Sequence, residues 1–137
     1  MKMIKRDTDY AIRALSCIAA SKGEMVTVSG LATKLGMPGP YLRKILQRLS
    51  REGLLKSIRG KGGGFSLIGH PDKITVFELM KIFQGDFQLS EHIFRGKICP
   101  EIKICKLRMK LNGLEKNLIK ELKNISIKSI IVNRMNK

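Results

Sequence analysis

Residues 40–65, PYLRKILQRLSREGLLKSIRGKGGGF, restrict the fold of this chain more tightly than any other stretch. Leu42, Ile45, Leu46 and Leu49 recur at helical spacing and bury one side of a helix. Tyr41, Arg43, Lys44, Gln47, Arg48 and Arg51 are left for solvent or a ligand. Pro40 suits the first turn, where its missing N–H has no intrahelical partner to lose. Gly53 stops the helix, and two short strands, 54–58 and 65–68, flank the tip Arg59-Gly60-Lys61-Gly62-Gly63-Gly64. Arg43, Lys44, Arg48, Arg51, Lys56, Arg59 and Lys61 stand against one acid, Glu52. A cationic helix beside a basic hairpin is the physical form of a winged helix-turn-helix, whose helix enters a major groove while the wing grips phosphate. The residues read as DNA-contacting are Tyr41, Arg43, Lys44, Gln47 and Arg48 on the helix and Arg59 and Lys61 on the wing. Taken alone, the glycine-rich tip reads equally as a flexible turn or as backbone built to approach a phosphate. It is not a P-loop, because the G-x-x-x-x-G-K-[ST] order is absent.

The flanking segments supply the rest of such a domain. Tyr10, Ala11, Ala14, Leu15, Ile18 and Ala19 predict a first helix from Asp7 or Thr8 to Ser21, with Asp7, Thr8 and Asp9 as caps or first-turn acids and Gly23 after its end. Thr27 opens a short helix with Val28, Leu31, Ala32 and Leu35 inward, and Gly36 closes it as a left-handed cap. After a turn at 71–74, Thr75 starts a fourth helix with Val76, Leu79, Met80 and Phe83 on its apolar side, ended by Gly85. Residues 86–104 have a broken, loop-like pattern. A long helix then carries Leu107, Leu111, Leu114, Leu118 and Leu122, a narrow leucine seam suited to pairing with a second copy. A further short helix covers 126–135, with Ile127, Ile130 and Ile131 inward. The fold expected is mainly α with a small β hairpin: a winged helix-turn-helix domain (1–85), a cysteine-containing sensor loop (86–105), and a dimerisation helix with a return helix (106–137).

Composition narrows the function. A formal charge of +16 on 137 residues is ordinary for a nucleic-acid binder and extreme for a cytosolic enzyme. Lysine-rich solvated faces explain part of it, chiefly in the C-terminal third, but not the clustering of Arg, Lys and Gly around one hairpin. No nucleophile–base pair, H-E-x-x-H, paired-carboxylate pocket or dinucleotide fingerprint is present, so an enzyme is not expected. No apolar run of about 18 residues spans a membrane, and the N-terminus lacks the apolar core of a signal peptide. With three cysteines outside any dense framework, the expected location is the cytoplasm.

Cys99 and Cys105 stand in the loop as C-P-E-I-K-I-C. Thiolates are soft ligands for iron–sulfur clusters or zinc, but a C-x₅-C pair alone is a weak signal that more often marks two incidental thiols. Cys17, among Ala14, Ile18 and Ala19, reads as a small buried hydrophobe. His70, beside Pro71 in a turn, reads as structural.

The chain as a whole resembles the Rrf-type winged-helix regulators, which include the iron–sulfur cluster regulator, the nitric-oxide-sensing repressor and the cysteine-metabolism repressor of bacteria. The resemblance is carried by Thr8-Asp9-Tyr10-Ala11-Ile12-Arg13-Ala14-Leu15, Tyr41-Leu42 through Leu49, Gly53-Leu54, Arg59-Gly60-Lys61-Gly62-Gly63-Gly64-Phe65 and the cysteine loop. It implies a homodimer on a partly palindromic duplex operator, with the long helices crossed at the interface. In cluster-binding relatives three loop cysteines are joined by a fourth ligand, and in those like the nitric-oxide sensor that ligand is an Asp matching Asp9, from the other subunit. Here Cys99 and Cys105 match the second and third cysteines, and the stretch where the first belongs holds His92, Ile93 and Phe94. The resemblance thus implies a candidate set of Asp9, Cys99, Cys105 and His92, with Cys99 and Cys105 as the metal-binding thiols, for a [2Fe–2S] cluster ahead of a [4Fe–4S] one. Asp9 as a helix-capping acid and His92 as a surface histidine remain the alternatives. Pro38, Pro40, Arg43 and Lys44 depart from the serines and the neutral or acidic residues frequent in cluster regulators, so the operator does not carry over.

The function expected is a dimeric DNA-binding regulator, a repressor, responding to redox, iron–sulfur or nitric-oxide status. The alternatives are a cluster-free regulator of the same fold, gated by a partner protein or thiol oxidation, and a non-specific nucleic-acid-coating protein.

Overall fold

The computed structural model describes residues 3–89, 93–94, 97–98 and 106–135. Helix α1 (Arg6–Ala20) runs through the centre, with Ala11, Ala14, Leu15 and Ile18 almost wholly buried. Helix α2 (Val28–Leu35) starts where the Gly30 N–H donates to Thr27 Oγ1 at 3.1 Å, and ends on Gly36 at φ 67°, both as the residue types require. Helix α3 (Gly39–Arg51) buries Leu42, Ile45, Leu46 and Leu49 against α1 and α2.

Strands β1 (Leu55–Ile58) and β2 (Gly64–Leu67) pair antiparallel, with Leu55 opposite Leu67 and Ile58 opposite Gly64. The hairpin gains a third edge that periodicity did not show. Val26 and Phe65 exchange backbone hydrogen bonds of 2.8 and 2.9 Å, which seats the wing on the segment before α2.

A 3₁₀ turn (Pro71–Lys73) leads to helix α4 (Val76–Gln84), capped by Thr75 Oγ1 accepting from the Glu78 N–H at 3.2 Å and followed by Gly85 at φ 80°. The segment read as wholly irregular contains a two-residue antiparallel pair, β3 (Ile93–Phe94) with β4 (Lys97–Ile98), too short to leave an alternating pattern. Helix α5 (Lys106–Lys123) leaves Leu107 63% and Leu114 55% exposed, while Leu122 is buried against Val76 and Met80. Leu111 and Leu118 are half-buried, so among the described residues the leucine seam is fully buried only at its last position. Helix α6 (Ile127–Met135) returns to α1, with Ile127 fully buried and Ile130 and Ile131 packed on the core. Two backbone bonds of 2.9 Å, the Val76 N–H to the Ile125 carbonyl and the Ile127 N–H to the Ile74 carbonyl, fasten this return to the start of α4.

Candidate nucleic-acid interface

Three elements meet in an open groove. Helix α3 contributes Arg43, Gln47, Ser50 and Arg51, at i, i+4, i+7 and i+8, so all four lie along one stripe. The wing contributes Ser57, Ile58, Arg59 and Gly60, and the start of α2 contributes Thr27 and Ser29. Arg43, Arg51 and Arg59 are the charged residues among its lining, and no acid stands with them. Such a groove attracts polyanions and, through Gln47, Ser29, Ser50 and Ser57, offers neutral donors and acceptors.

The glycines of the wing divide by role. Gly60 and Gly62 have φ of 90° and 75°, which the tight turn needs. Gly63 and Gly64 are small for a different reason. A Cβ on Gly63 would lie 2.2 Å from the Ile58 carbonyl oxygen, and one on Gly64 would lie 2.5 Å from that of Val26. Their smallness lets the hairpin close on itself and on Val26. Lys61 is exposed at the tip, beyond the groove lining.

The sequence-predicted contacts of α3 do not all share this groove. Arg43 and Gln47 face it. Tyr41, Lys44 and Arg48 lie on a second stripe, beside Asp7 of α1 and Ile82 and Phe83 of α4. The Tyr41 hydroxyl donates to Asp7 Oδ1, and its ring meets that of Tyr10 edge-on, centroids 5.5 Å apart. Arg48 pairs with Glu52 at 3.3 Å and donates to the Ile82 carbonyl at 3.5 Å. Lys44 remains exposed between them.

Helix α1 begins without a side-chain cap, Lys5 standing at the N-cap; Asp7 and Asp9 stand in its first turn as acids, and none of Asp7, Thr8 and Asp9 caps it. Thr8 is fully buried, and its hydroxyl donates to Gln84 Oε1 at 2.7 Å. Asp9 Oδ2 accepts from Arg13 Nε at 3.2 Å on the exposed surface, one turn along the helix. His92, Cys99 and Cys105 lie outside the described residues, and among the described residues no three potential metal ligands come together. Cys17 is half-buried against the core, as a small hydrophobe would be.

A family model described as Rrf2, iron-dependent transcriptional regulator, matches residues 4–133, nearly the whole chain. This chain belongs to the Rrf2 family. Among its relatives, an HTH-type protein of Aquifex aeolicus (strain VF5) is 31% identical over 132 residues, covering 94% of this chain and 92% of that one. The HTH-type transcriptional regulator NsrR of Bacillus subtilis (strain 168) is 28% identical over 129 residues, covering 93% and 88%. The solved structure of CymR, the global cysteine regulator of B. subtilis, matches with a TM-score of 0.79 at 21% identity, over 97% of this chain and 98% of that one. T. potens IscR matches with a TM-score of 0.74 at 20% identity, over 98% and 88%. At these identities the structural likeness carries the winged-helix fold alone. The Rrf2 family is one of transcriptional regulators, not enzymes, and its membership accounts for the helix-turn-helix and wing together. No helix among the described residues of this Rrf2 chain is long and apolar enough to cross a membrane.

Sequence reasoning left Ser29, Ser50 and Ser57 out of the candidate interface and did not separate Arg51 from the other cations of α3. Arg51 was legible, since it stands eight residues after Arg43 on one helical stripe. Ser50 was legible in the same way, at i+7 on that stripe, whereas Ser29 and Ser57 enter only because Val26 and Phe65 fold the wing against the start of α2.

Proposed function

We propose that this Rrf2-family chain is a repressor that binds duplex DNA as a homodimer, reading base edges with α3 and holding phosphates with the wing. The observation that carries this reading is the acid-free groove in which Arg43 and Gln47 of α3 face Arg59 of the hairpin. Arg43 makes a bidentate contact to guanine, Gln47 pairs with a base edge, and Arg51, Arg59 and Lys61 neutralise phosphate. Lys44 lies on the flank toward phosphate, while Tyr41 and Arg48 support the helix from behind. The exposed Leu107 and Leu114 of α5, continuous with Leu111 and Leu118, form the face on which two copies pair. A two-fold pair sets two reading helices about one helical turn of DNA, roughly 34 Å, apart.

The test pairs an operator selected by the protein from random duplexes with a random duplex. Arg43→Ala is expected to lose about 1–3 kcal/mol at one base position and relax preference there. Lys61→Ala is expected to weaken both duplexes alike and flatten the salt slope by about one unit. Equal losses on both duplexes for both variants would refute the division between reading helix and wing.

For sensing, the donor set Asp9, Cys99, Cys105 and His92 has the chemistry of a [2Fe–2S] site in which two thiolates hold one iron and harder ligands the other. Asp9 supports this reading by its exposure at the first turn of α1, where its carboxylate pairs with Arg13 on the surface. A cluster there would supply a link sensitive to oxidants and nitric oxide, and the family's description names iron. The cluster-free reading draws on the missing first loop cysteine, with Cys99 and Cys105 as oxidisable thiols.

A further inference from the structure

The stripe of α3 turned away from the groove is tied to two other helices. Tyr41, in the first turn of α3, donates its hydroxyl to Asp7 Oδ1, in the first turn of α1, across 34 residues of sequence. The Tyr10 ring, one turn further along α1, meets the same tyrosine edge-on at 82°. This first turn of α1 is fixed in its own right from α4. Gln84 Oε1 accepts from the Lys5 N–H at 2.9 Å and from the Thr8 hydroxyl at 2.7 Å, while Gln84 Nε2 donates to the Met3 carbonyl at 3.0 Å. One amide therefore meets three groups of the N-terminal segment from the last residue of α4. The start of α3, the start of α1 and the end of α4 form one connected set of polar contacts.

We propose that Tyr41 and Asp7 are positioning residues for specificity: they fix the start of the reading helix against α1, and so set where Arg43 and Gln47 point, without touching DNA themselves. This rests on the reading of α3 as the base-reading helix. The physical basis is the narrow tolerance of a bidentate contact. Parallel N–H···O bonds survive only small changes of distance and angle, whereas a phosphate contact through a flexible side chain adapts. A small shift of α3 at its first turn should therefore lower discrimination between sequences and leave non-specific affinity in place.

The test measures the ratio of affinities for a duplex selected by wild-type protein and for a random duplex, in folded dimeric protein with matched circular dichroism. Tyr41→Phe keeps the ring and its contact with Tyr10 and removes only the hydroxyl. It is expected to lower the ratio roughly threefold to tenfold, with affinity for the random duplex and its salt slope unchanged. Asp7→Ala should lower the ratio equally, and the double variant no further. Asp7→Asn removes the same charge as Asp7→Ala but keeps an acceptor oxygen, and should stay near wild type. A ratio unchanged in Tyr41→Phe overturns the proposal. So does a loss in Tyr41→Phe with none in Asp7→Ala, which would place the hydroxyl on DNA. Wild-type protein that selects no sequence at all would instead remove the reading on which the proposal stands.

Discussion

Gly64→Ala tests how the wing is held. A Cβ at this position would stand 2.5 Å from the Val26 carbonyl oxygen and 2.9 Å from its carbon, on backbone with φ of 147°. Carbon–oxygen contacts normally begin near 3.3 Å, so the strands must part by about 0.8 Å. The two Val26–Phe65 bonds, now 2.8 and 2.9 Å, would then stretch to about 3.6 Å, past useful hydrogen-bond length. Losing both costs about 1–3 kcal/mol, and the unfavourable φ adds about 1 kcal/mol. Gly62→Ala is the internal control: its φ is 75° but nothing lies within 4 Å of the added carbon, so about 1 kcal/mol of backbone strain is the whole effect. Urea unfolding of both variants, with hydrogen exchange read at the Phe65 amide, measures the difference. Gly64→Ala should be the less stable by about 1–3 kcal/mol and should expose that amide. Because Ser57 and Arg59 ride on the same hairpin, its DNA affinity should fall more than that of Gly62→Ala. Equal midpoints, with the Phe65 amide still protected, would refute the steric argument.

Two further outcomes follow from the C-terminal half. Leu111→Asp with Leu118→Asp places two charges in the leucine seam, where desolvation is costly, and sedimentation should show monomers that bind a half-site weakly; an unchanged dimer would put the interface elsewhere. On the proposed cluster reading, Cys99→Ser and Cys105→Ser should each abolish visible absorption and bound iron after anaerobic reconstitution, since each would remove a strong anionic ligand. Wild-type protein that stays colourless would favour the thiol- or partner-gated reading.

The helices were legible because their signals are local. Leu42, Ile45, Leu46 and Leu49 repeat at helical spacing, and Thr27, Gly36, Thr75 and Gly85 mark ends by chemistry that operates within a few residues. The basic character of the interface was legible for the same reason. What was hidden depends on residues far apart in sequence. The bond from Thr8 to Gln84 spans 76 residues and that from Tyr41 to Asp7 spans 34, and nothing in either neighbourhood announces its partner. Thr8 and Asp7 read as helix caps or first-turn residues because those are the local uses of such side chains; Asp7 does stand in the first turn, but the tertiary bonds both make took precedence over capping. Gly63 and Gly64 read as turn glycines or as backbone made to approach a phosphate, and the structure adds a close approach of backbone to backbone that only the seated hairpin reveals.

The fastening of Ile125 and Ile127 to Val76 and Ile74 has a mechanical consequence. Helix α5 spans eighteen residues, about 27 Å, and its far end is stitched to the same body that carries α3. In the proposed pairing of two copies along the leucine seam, the helix is a lever whose load is the body that carries α3. A tilt of about 5° over that length moves the attached end by about 2 Å, enough to break paired hydrogen bonds at a base edge. In that pairing, small adjustments at the seam would be carried to the groove through the stitched end of α5.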